Sequence, residues 1–170
     1  KVTSLILSFS GGLIWPALFL TALACLFLGM EVPTTAAYVI CVSVAGPALI
    51  DLGMEPLTVH LFVFWYALLS TITPPVCGGV FIAAGMVGEN WLRVAITAMS
   101  LGIGLYLIPL GMVVHPELLT ITETPLISLI AFGKIAISLS LISYAVISTG
   151  LPILRLACFT LGLALLLITL

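Results

Sequence analysis

The chain is organised around a ten-residue stretch, Ser70-Thr71-Ile72-Thr73-Pro74-Pro75-Val76-Cys77-Gly78-Gly79, which interrupts an apolar run from Leu57 to Val87. Proline has no amide hydrogen and collides with the carbonyl four residues before it, so a helix does not continue through two consecutive prolines. The two prolines would free the carbonyl oxygens of Ser70 and Thr71. The stretch therefore predicts a helix that is broken in its middle, with hydroxyl groups beside the freed carbonyl oxygens.

The composition of the whole chain places this break inside a lipid bilayer. Of its 170 residues, 63% are hydrophobic and 6% are charged, and the mean hydropathy is +1.44. Soluble domains carry about 25% charged residues, and a water-soluble fold of this size could not hide so much apolar surface. Because the chain has only four Lys and Arg residues, it lacks the positive charge that binding to nucleic acid requires.

Three further apolar runs are long enough to cross the hydrocarbon core, which takes roughly 20 residues of helix. They extend from Trp91 to Val114, from Leu126 to Ser148 and from Leu151 to Leu170, and short turn-rich segments separate them. These runs are continuous, which favours helices. The sequence therefore predicts an all-α integral membrane protein.

The segment 11–50 differs from the later spans. It consists of two apolar runs, Leu13–Leu28 and Ala36–Ile50, on either side of a tip that reads Gly29-Met30-Glu31-Val32-Pro33-Thr34-Thr35. One interpretation is two short full spans joined by a turn in water. The other is a re-entrant hairpin whose tip stops within the bilayer, a conformation tolerated only where protein or a watery cavity surrounds it.

The hairpin tip and the double proline carry the same chemistry. At the tip, Pro33 would free the carbonyl of Gly29, and two threonines add hydroxyls. Discontinuous helices with such groups mark the ion and substrate sites of secondary transporters; the alternative is a proline kink that neighbouring Ser and Thr side chains satisfy. The candidate sodium ligands are Gly29, Thr34, Ser70, Thr71 and Thr73, and the candidate substrate-binding residues are Thr34, Thr35, Thr73, Pro74 and Pro75.

Two stretches carry a family resemblance. Residues 29–38, Gly-Met-Glu-Val-Pro-Thr-Thr-Ala-Ala-Tyr, resemble the "GMxxPTTAAY" hairpin of tripartite ATP-independent periplasmic (TRAP) transporters, and residues 72–76 resemble the "ITPPV" signature of that family. The flanking segments 60–66 and 83–85 fit too, and the similarity is strongest to the fused permeases of the TAXI branch. The chain departs from the family pattern at Glu31, where a small or uncharged residue is expected, and at Cys77-Gly78-Gly79, where the family varies.

The resemblance implies the large membrane subunit of a sodium-coupled, elevator-type permease in the bacterial inner membrane. Such a subunit has two inverted repeats, each with a re-entrant hairpin and a broken helix. We expect this chain to be its C-terminal part, with transport-domain elements in residues 1–90 (hairpin 11–50, broken helix 57–87) and C-terminal transmembrane helices in 91–170. The implied partners are a periplasmic substrate-binding protein, the rest of the permease, the lipid bilayer and a small organic acid. Sodium is the coupling ion, and no cofactor is expected.

The charged residues suggest an orientation. If the hairpin returns to its own side, the acidic loops 51–56 and 115–125 share one face, and Arg93 and Arg155 lie near the other. Positive charge favours the cytoplasm, so the acidic loops are predicted to be periplasmic. Lys134 would snorkel to the interface or form an ion pair. Glu31 would either help to balance the charge of sodium or lie at a water-exposed tip.

Two other functional classes remain as alternatives. A structural membrane subunit would use the prolines only to shape helices and would have no ion site of its own. An intramembrane enzyme would depend on His60 or His115, but the sequence has no HExxH-type ligand pair. Neither alternative explains why prolines and hydroxyls coincide twice, so a permease without enzymatic activity is the favoured hypothesis.

Overall fold

The computed structural model describes residues 2–30, 32–119, 122, 124–148 and 150–168. Within these ranges the regular structure is helical, as the sequence predicts: nine α-helices and one 3-10 turn, Pro116–Leu119. The helices are α1 Val2–Ser10, α2 Ile14–Leu28, α3 Thr34–Asp51, α4 Pro56–Leu69, α5 Gly78–Val87, α6 Trp91–Leu101, α7 Ile103–Val114, α8 Pro125–Ile147 and α9 Pro152–Leu167.

Two helices of the described chain, α3 and α8, are long and apolar enough to cross a membrane, and a third span results if the bent pair α5 and α6 counts as one. Many large apolar side chains lie on the outside of the molecule, among them Phe9, Met86 and Ile153. Such a surface suits lipid rather than water. The prediction of an all-helical protein with membrane-capable helices is therefore supported.

The hairpin and the broken helix occupy the predicted positions. The 15 residues of α2 would extend about 22 Å and the 18 residues of α3 about 27 Å at 1.5 Å per residue, against a hydrocarbon core about 30 Å thick. Whether the hairpin is re-entrant stays a prediction. Glu31, at the tip, lies outside the described residues, so both interpretations of its role also stay predictions.

The span predicted from Trp91 to Val114 is not one helix. It divides at Gly102 into α6 and α7. Gly102 accepts a hydrogen bond of 2.9 Å from the Leu105 amide, as in a turn. A glycine inside a helix lowers the stability of the helix by about 1 kcal/mol relative to alanine. A second glycine, Gly104, follows two residues later. The apolar pattern predicted membrane-compatible sequence here but did not predict the break.

The chain forms two compact units, residues 1–96 and 97–170. In the first unit, α1 to α4 pack around small residues such as Ala17, Ala37 and Ala48, all fully buried, which lets the helix backbones approach closely. The hydroxyl of Tyr38 on α3 shares a hydrogen bond of 2.7 Å with Nδ1 of His60 on α4. This packing holds the hairpin against α4. The assignment of residues 1–90 to a transport domain stays a prediction.

In the second unit, α8 and α9 form an antiparallel pair whose ends are bonded reciprocally. The guanidinium of Arg155, on α9, donates through Nε to the carbonyl of Ala145 at the end of α8, at 2.8 Å. The ammonium of Lys134, on α8, donates to the carbonyl of Ile168 at the end of α9. Because the last carbonyls of a helix have no partner within it and carry negative partial charge, each cation stabilises the end of the other helix.

We expect Gly162→Ala to destabilise this helix pair. A Cβ atom at Gly162 would lie 2.7 Å from Cγ1 of Ile142 and 2.9 Å from the carbonyl oxygen of Ser138, so the helices would have to move apart, at a cost of about 1–3 kcal/mol. The matched control is Gly133→Ala in α8, where a Cβ would meet nothing within 4 Å. That change should be neutral or should stabilise by up to about 1 kcal/mol. Thermal unfolding of the purified protein in detergent compares the two; equal shifts would contradict the packing described.

Candidate functional site

The helix α4 ends at Leu69, before the two prolines, and hydroxyl groups donate hydrogen bonds to its last carbonyls. The Ser70 hydroxyl donates to the carbonyl of Ala67 at 2.7 Å. The Thr71 hydroxyl donates to the carbonyl of Leu68 at 2.8 Å, and the Thr73 hydroxyl donates to the carbonyl of Leu69 at 2.7 Å. The alternative in which Ser and Thr side chains satisfy helix carbonyls is thus part of the structure. A hydroxyl that donates its hydrogen keeps the lone pairs of its oxygen, so this arrangement remains compatible with cation binding.

The carbonyls that these hydroxyls reach are not the two that the prolines were predicted to free. The carbonyl of Ser70 accepts a longer contact of 3.4 Å from the Thr73 amide. The helix therefore unwinds one turn earlier than the steric rule alone requires. Residues 70–77 connect α4 to α5 without regular helix, and the Pro74–Pro75 peptide bond is cis.

The hairpin tip and the helix break are in direct contact. Gly29 ends α2, and its amide donates to the carbonyl of Cys25 at 3.0 Å. A Cβ atom at Gly29 would lie 2.9 Å from Cβ of Ser70 and would collide with the Ser70 hydroxyl oxygen. Gly29 and Ser70 are both buried, and Ser70 is 0% exposed. The tip can lie this close to the break only because residue 29 has no side chain.

A cleft of about 470 Å³ opens beside this contact. One wall comes from the hairpin tip and the other from the break and the start of α5. The lining residues are Gly29, Met30, Val32 and Pro33 on the first wall and Thr71, Val76, Gly78 and Gly79 on the second. None of these eight described residues is charged, and what they offer a ligand is backbone groups and the hydroxyl of Thr71.

Four helix ends of opposite polarity meet at this cleft. The C-terminal end of α2 lies at Gly29, and α4 ends at Leu69, two residues before the lining residue Thr71. The N-terminal ends of α3 and α5 begin directly after Pro33 and at Gly78. Helix C-termini carry negative partial charge on carbonyl oxygens, and N-termini present amide hydrogens to anions. The arrangement therefore offers carbonyl oxygens to a cation and helix amides to an anion.

The structure brings some of the predicted residues to the cleft and leaves others beside it. Gly29 and Thr71 line it, and Ser70 lies buried behind Gly29. Thr34 and Thr35 begin α3, and Thr73, Pro74 and Pro75 lie within the break, but the lining does not include these five. Their assigned roles stay predictions.

Sequence reasoning missed the lining contributed by Gly78 and Gly79. Both are exposed, and a Cβ at Gly78 would meet nothing within 4 Å. Their contribution is backbone, which no side-chain pattern reveals, although two glycines opening a helix after a double proline could have indicated accessible amides. Among the described residues there is also no group of three or more His, Cys, Asp or Glu that could hold a metal ion.

The comparisons with known proteins identify the family of the chain. The family model of the tripartite ATP-independent periplasmic transporter, DctM component, matches residues 1–127, which is more than half of the 170-residue chain and includes the hairpin, the break and the cleft. No curated protein matches the chain, nor does any solved structure. The resemblance predicted from residues 29–38 and 72–76 is confirmed at the level of the family. The chain belongs to the DctM component family of the tripartite ATP-independent periplasmic transporters.

Proposed function

We propose that this chain forms part of a sodium-coupled permease that imports a small organic acid across the bacterial inner membrane. The observation that carries the proposal is the meeting of four helix ends of opposite polarity at one cleft, whose described lining residues are uncharged. Discontinuous helices in secondary transporters use their N-termini for anionic substrates and their unwound carbonyls for the coupling ion. The family membership supplies the class of transporter.

Sodium would bind on the side of the cleft formed by the ends of α2 and α4. Backbone carbonyls and hydroxyls are uncharged oxygen ligands, which suit a hard cation of single charge. Thr71 is placed best, because it lines the cleft while its hydroxyl hydrogen is committed to the carbonyl of Leu68 at 2.8 Å. Its oxygen would then face the ion with lone pairs. Gly29, Ser70, Thr34 and Thr73 remain the other candidate ligands.

The carboxylate of the substrate would bind at the N-terminal ends of α3 and α5. The first amides of a helix have no acceptor within it, and the helix dipole favours a negative group there. Gly78 and Gly79 leave the backbone at the start of α5 open, so a carboxylate could approach it closely. Thr34 and Thr35, in the first turn of α3, would add hydroxyls to the same anion.

The elevator mechanism and the partners follow from the resemblance. In that mechanism a transport domain carries the site across the membrane against a fixed scaffold. The hairpin, the break and the cleft all lie within the compact unit of residues 1–96, which supports their movement as one body. The proposed partners are a periplasmic binding protein that delivers the organic acid and the remaining transmembrane part of the permease.

The test is uptake of the organic acid by the permease and its binding protein in proteoliposomes, with and without a sodium gradient. We expect Thr71→Ala to raise the sodium concentration for half-maximal uptake about tenfold, equivalent to about 1.4 kcal/mol of lost binding. Thr71→Ser keeps the hydroxyl and should behave like the parent protein. Ser43→Ala removes a hydroxyl that bonds only within α3, to Val39 at 2.7 Å, and serves as the control.

Three outcomes would count against the proposal. If uptake is the same without sodium, the assignment of sodium as the coupling ion is wrong. If uptake needs sodium but Thr71→Ala and Ser43→Ala respond alike, the ion site does not lie at the break. A protein that shows no uptake with any organic acid would instead favour a structural membrane subunit.

A further inference from the structure

A second cleft lies in the other compact unit, where α8 ends and α9 begins. Its volume is about 330 Å³, and its lining comprises Ala145, Val146, Pro152, Arg155, Leu156 and Phe159. It is independent of the cleft at the hairpin tip, because all its residues belong to the unit of residues 97–170. Nothing in the proposed transport chemistry uses it.

One positive side chain, that of Arg155, lines this cleft. Arg155 uses Nε for the carbonyl of Ala145 at 2.8 Å and Nη2 for a longer contact of 3.4 Å with the carbonyl of Val146. A guanidinium has five N–H groups, so others are left for a ligand.

The side chains around the guanidinium of Arg155 are apolar. Leu151 is 75% exposed, Ile153 is 82% exposed and Leu156 is 66% exposed. An inorganic anion or an acidic peptide would leave these side chains without a partner. A ligand that joins a phosphate to hydrocarbon chains would satisfy the guanidinium and the aliphatic side chains together.

We propose that this cleft binds the headgroup phosphate of an anionic phospholipid, with the acyl chains lying along the exposed sides of α8 and α9. The predicted orientation places Arg155 near the cytoplasmic leaflet, where anionic lipids give the surface its negative potential. The lipid then stabilises the turn between the two helices. The proposal stands whether or not the permease is coupled to sodium.

The experiment measures lipid-dependent thermal stability of the purified detergent-solubilised protein. Three additions are compared: phosphatidylglycerol, which is anionic, phosphatidylethanolamine, which is zwitterionic, and inorganic phosphate. We expect phosphatidylglycerol to raise the apparent melting temperature by about 4 °C more than the other two. Arg155→Gln and Leu156→Glu should abolish this difference, the second without touching the bonds from Arg155 to α8. Arg93→Gln, at an arginine paired with Glu89 at 3.6 Å, should keep it.

Each other outcome overturns the proposal. An equal response to inorganic phosphate would make the cleft a simple anion site. A parent protein without preference for phosphatidylglycerol would mean that protein rather than lipid covers the cleft. A preference that survives Arg155→Gln and Leu156→Glu would place the lipid elsewhere. Because the readout is the difference between lipids, a general loss of stability in a variant does not affect the conclusion.

Discussion

Replacing Pro74 and Pro75 together with alanine is expected to abolish sodium-dependent uptake. Each alanine restores an amide hydrogen and favours helix by about 3 kcal/mol relative to proline, so α4 would tend to continue towards α5. Thr71, just after α4, and Gly78, at the start of α5, would then no longer line the cleft. The measurement is the initial rate of uptake in proteoliposomes with and without a sodium gradient, and the expected loss is at least about a hundredfold.

The matched control for this change is Pro47→Ala. Pro47 lies inside α3, which continues past it to Asp51, and its ring is exposed. This substitution should leave the sodium dependence of uptake intact. If the double variant transports with the sodium requirement of the parent protein, the break has no part in ion binding and the prolines only shape the helix.

Gly29→Ala is expected to lower uptake at least about tenfold by pushing the hairpin tip away from the break. The conformation of Gly29, with φ −87° and ψ −5°, suits any residue, so the expected effect comes from space alone. The new Cβ would lie 2.9 Å from Cβ of Ser70. That atom is attached to the backbone of the break and cannot rotate away.

A second substitution separates this steric effect from others. Ser70→Gly removes both colliding atoms, so the pair Gly29→Ala with Ser70→Gly should recover part of the activity that Gly29→Ala loses. Gly85→Ala is the control, since a Cβ there would meet nothing within 4 Å. Additive losses in the double variant would show that the two residues are not coupled through the contact.

Local sequence rules predicted the elements around the cleft well. Two short apolar runs and a proline-containing tip indicated the hairpin, and two consecutive prolines indicated the broken helix. The first prediction rests on the length of the apolar runs, and the second on a steric fact that acts within four residues. The break at Gly102 was missed, because a glycine within an apolar run is compatible with an intact helix.

The contacts that make the cleft were less predictable. The proximity of Gly29 to Ser70 joins residues that are far apart in the chain, and it depends on how α2 packs against α4. The hydroxyls of the break were predicted as a group, but their bonds to the carbonyls of Ala67, Leu68 and Leu69 depend on where α4 ends. The backbone groups at Gly78 and Gly79 left no signal in side-chain chemistry.

The bonds between α8 and α9 have a mechanical consequence. Lys134 is bonded to the C-terminal end of α9, and Arg155 is bonded to the C-terminal end of α8. Between these two bonds, the Ser138 hydroxyl donates to the carbonyl of Gly162 at 2.5 Å. Sliding one helix along the other would strain all three hydrogen bonds together, so the helix pair resists shear. In the proposed elevator mechanism, such a rigid helix pair would suit the fixed scaffold and not the moving transport domain.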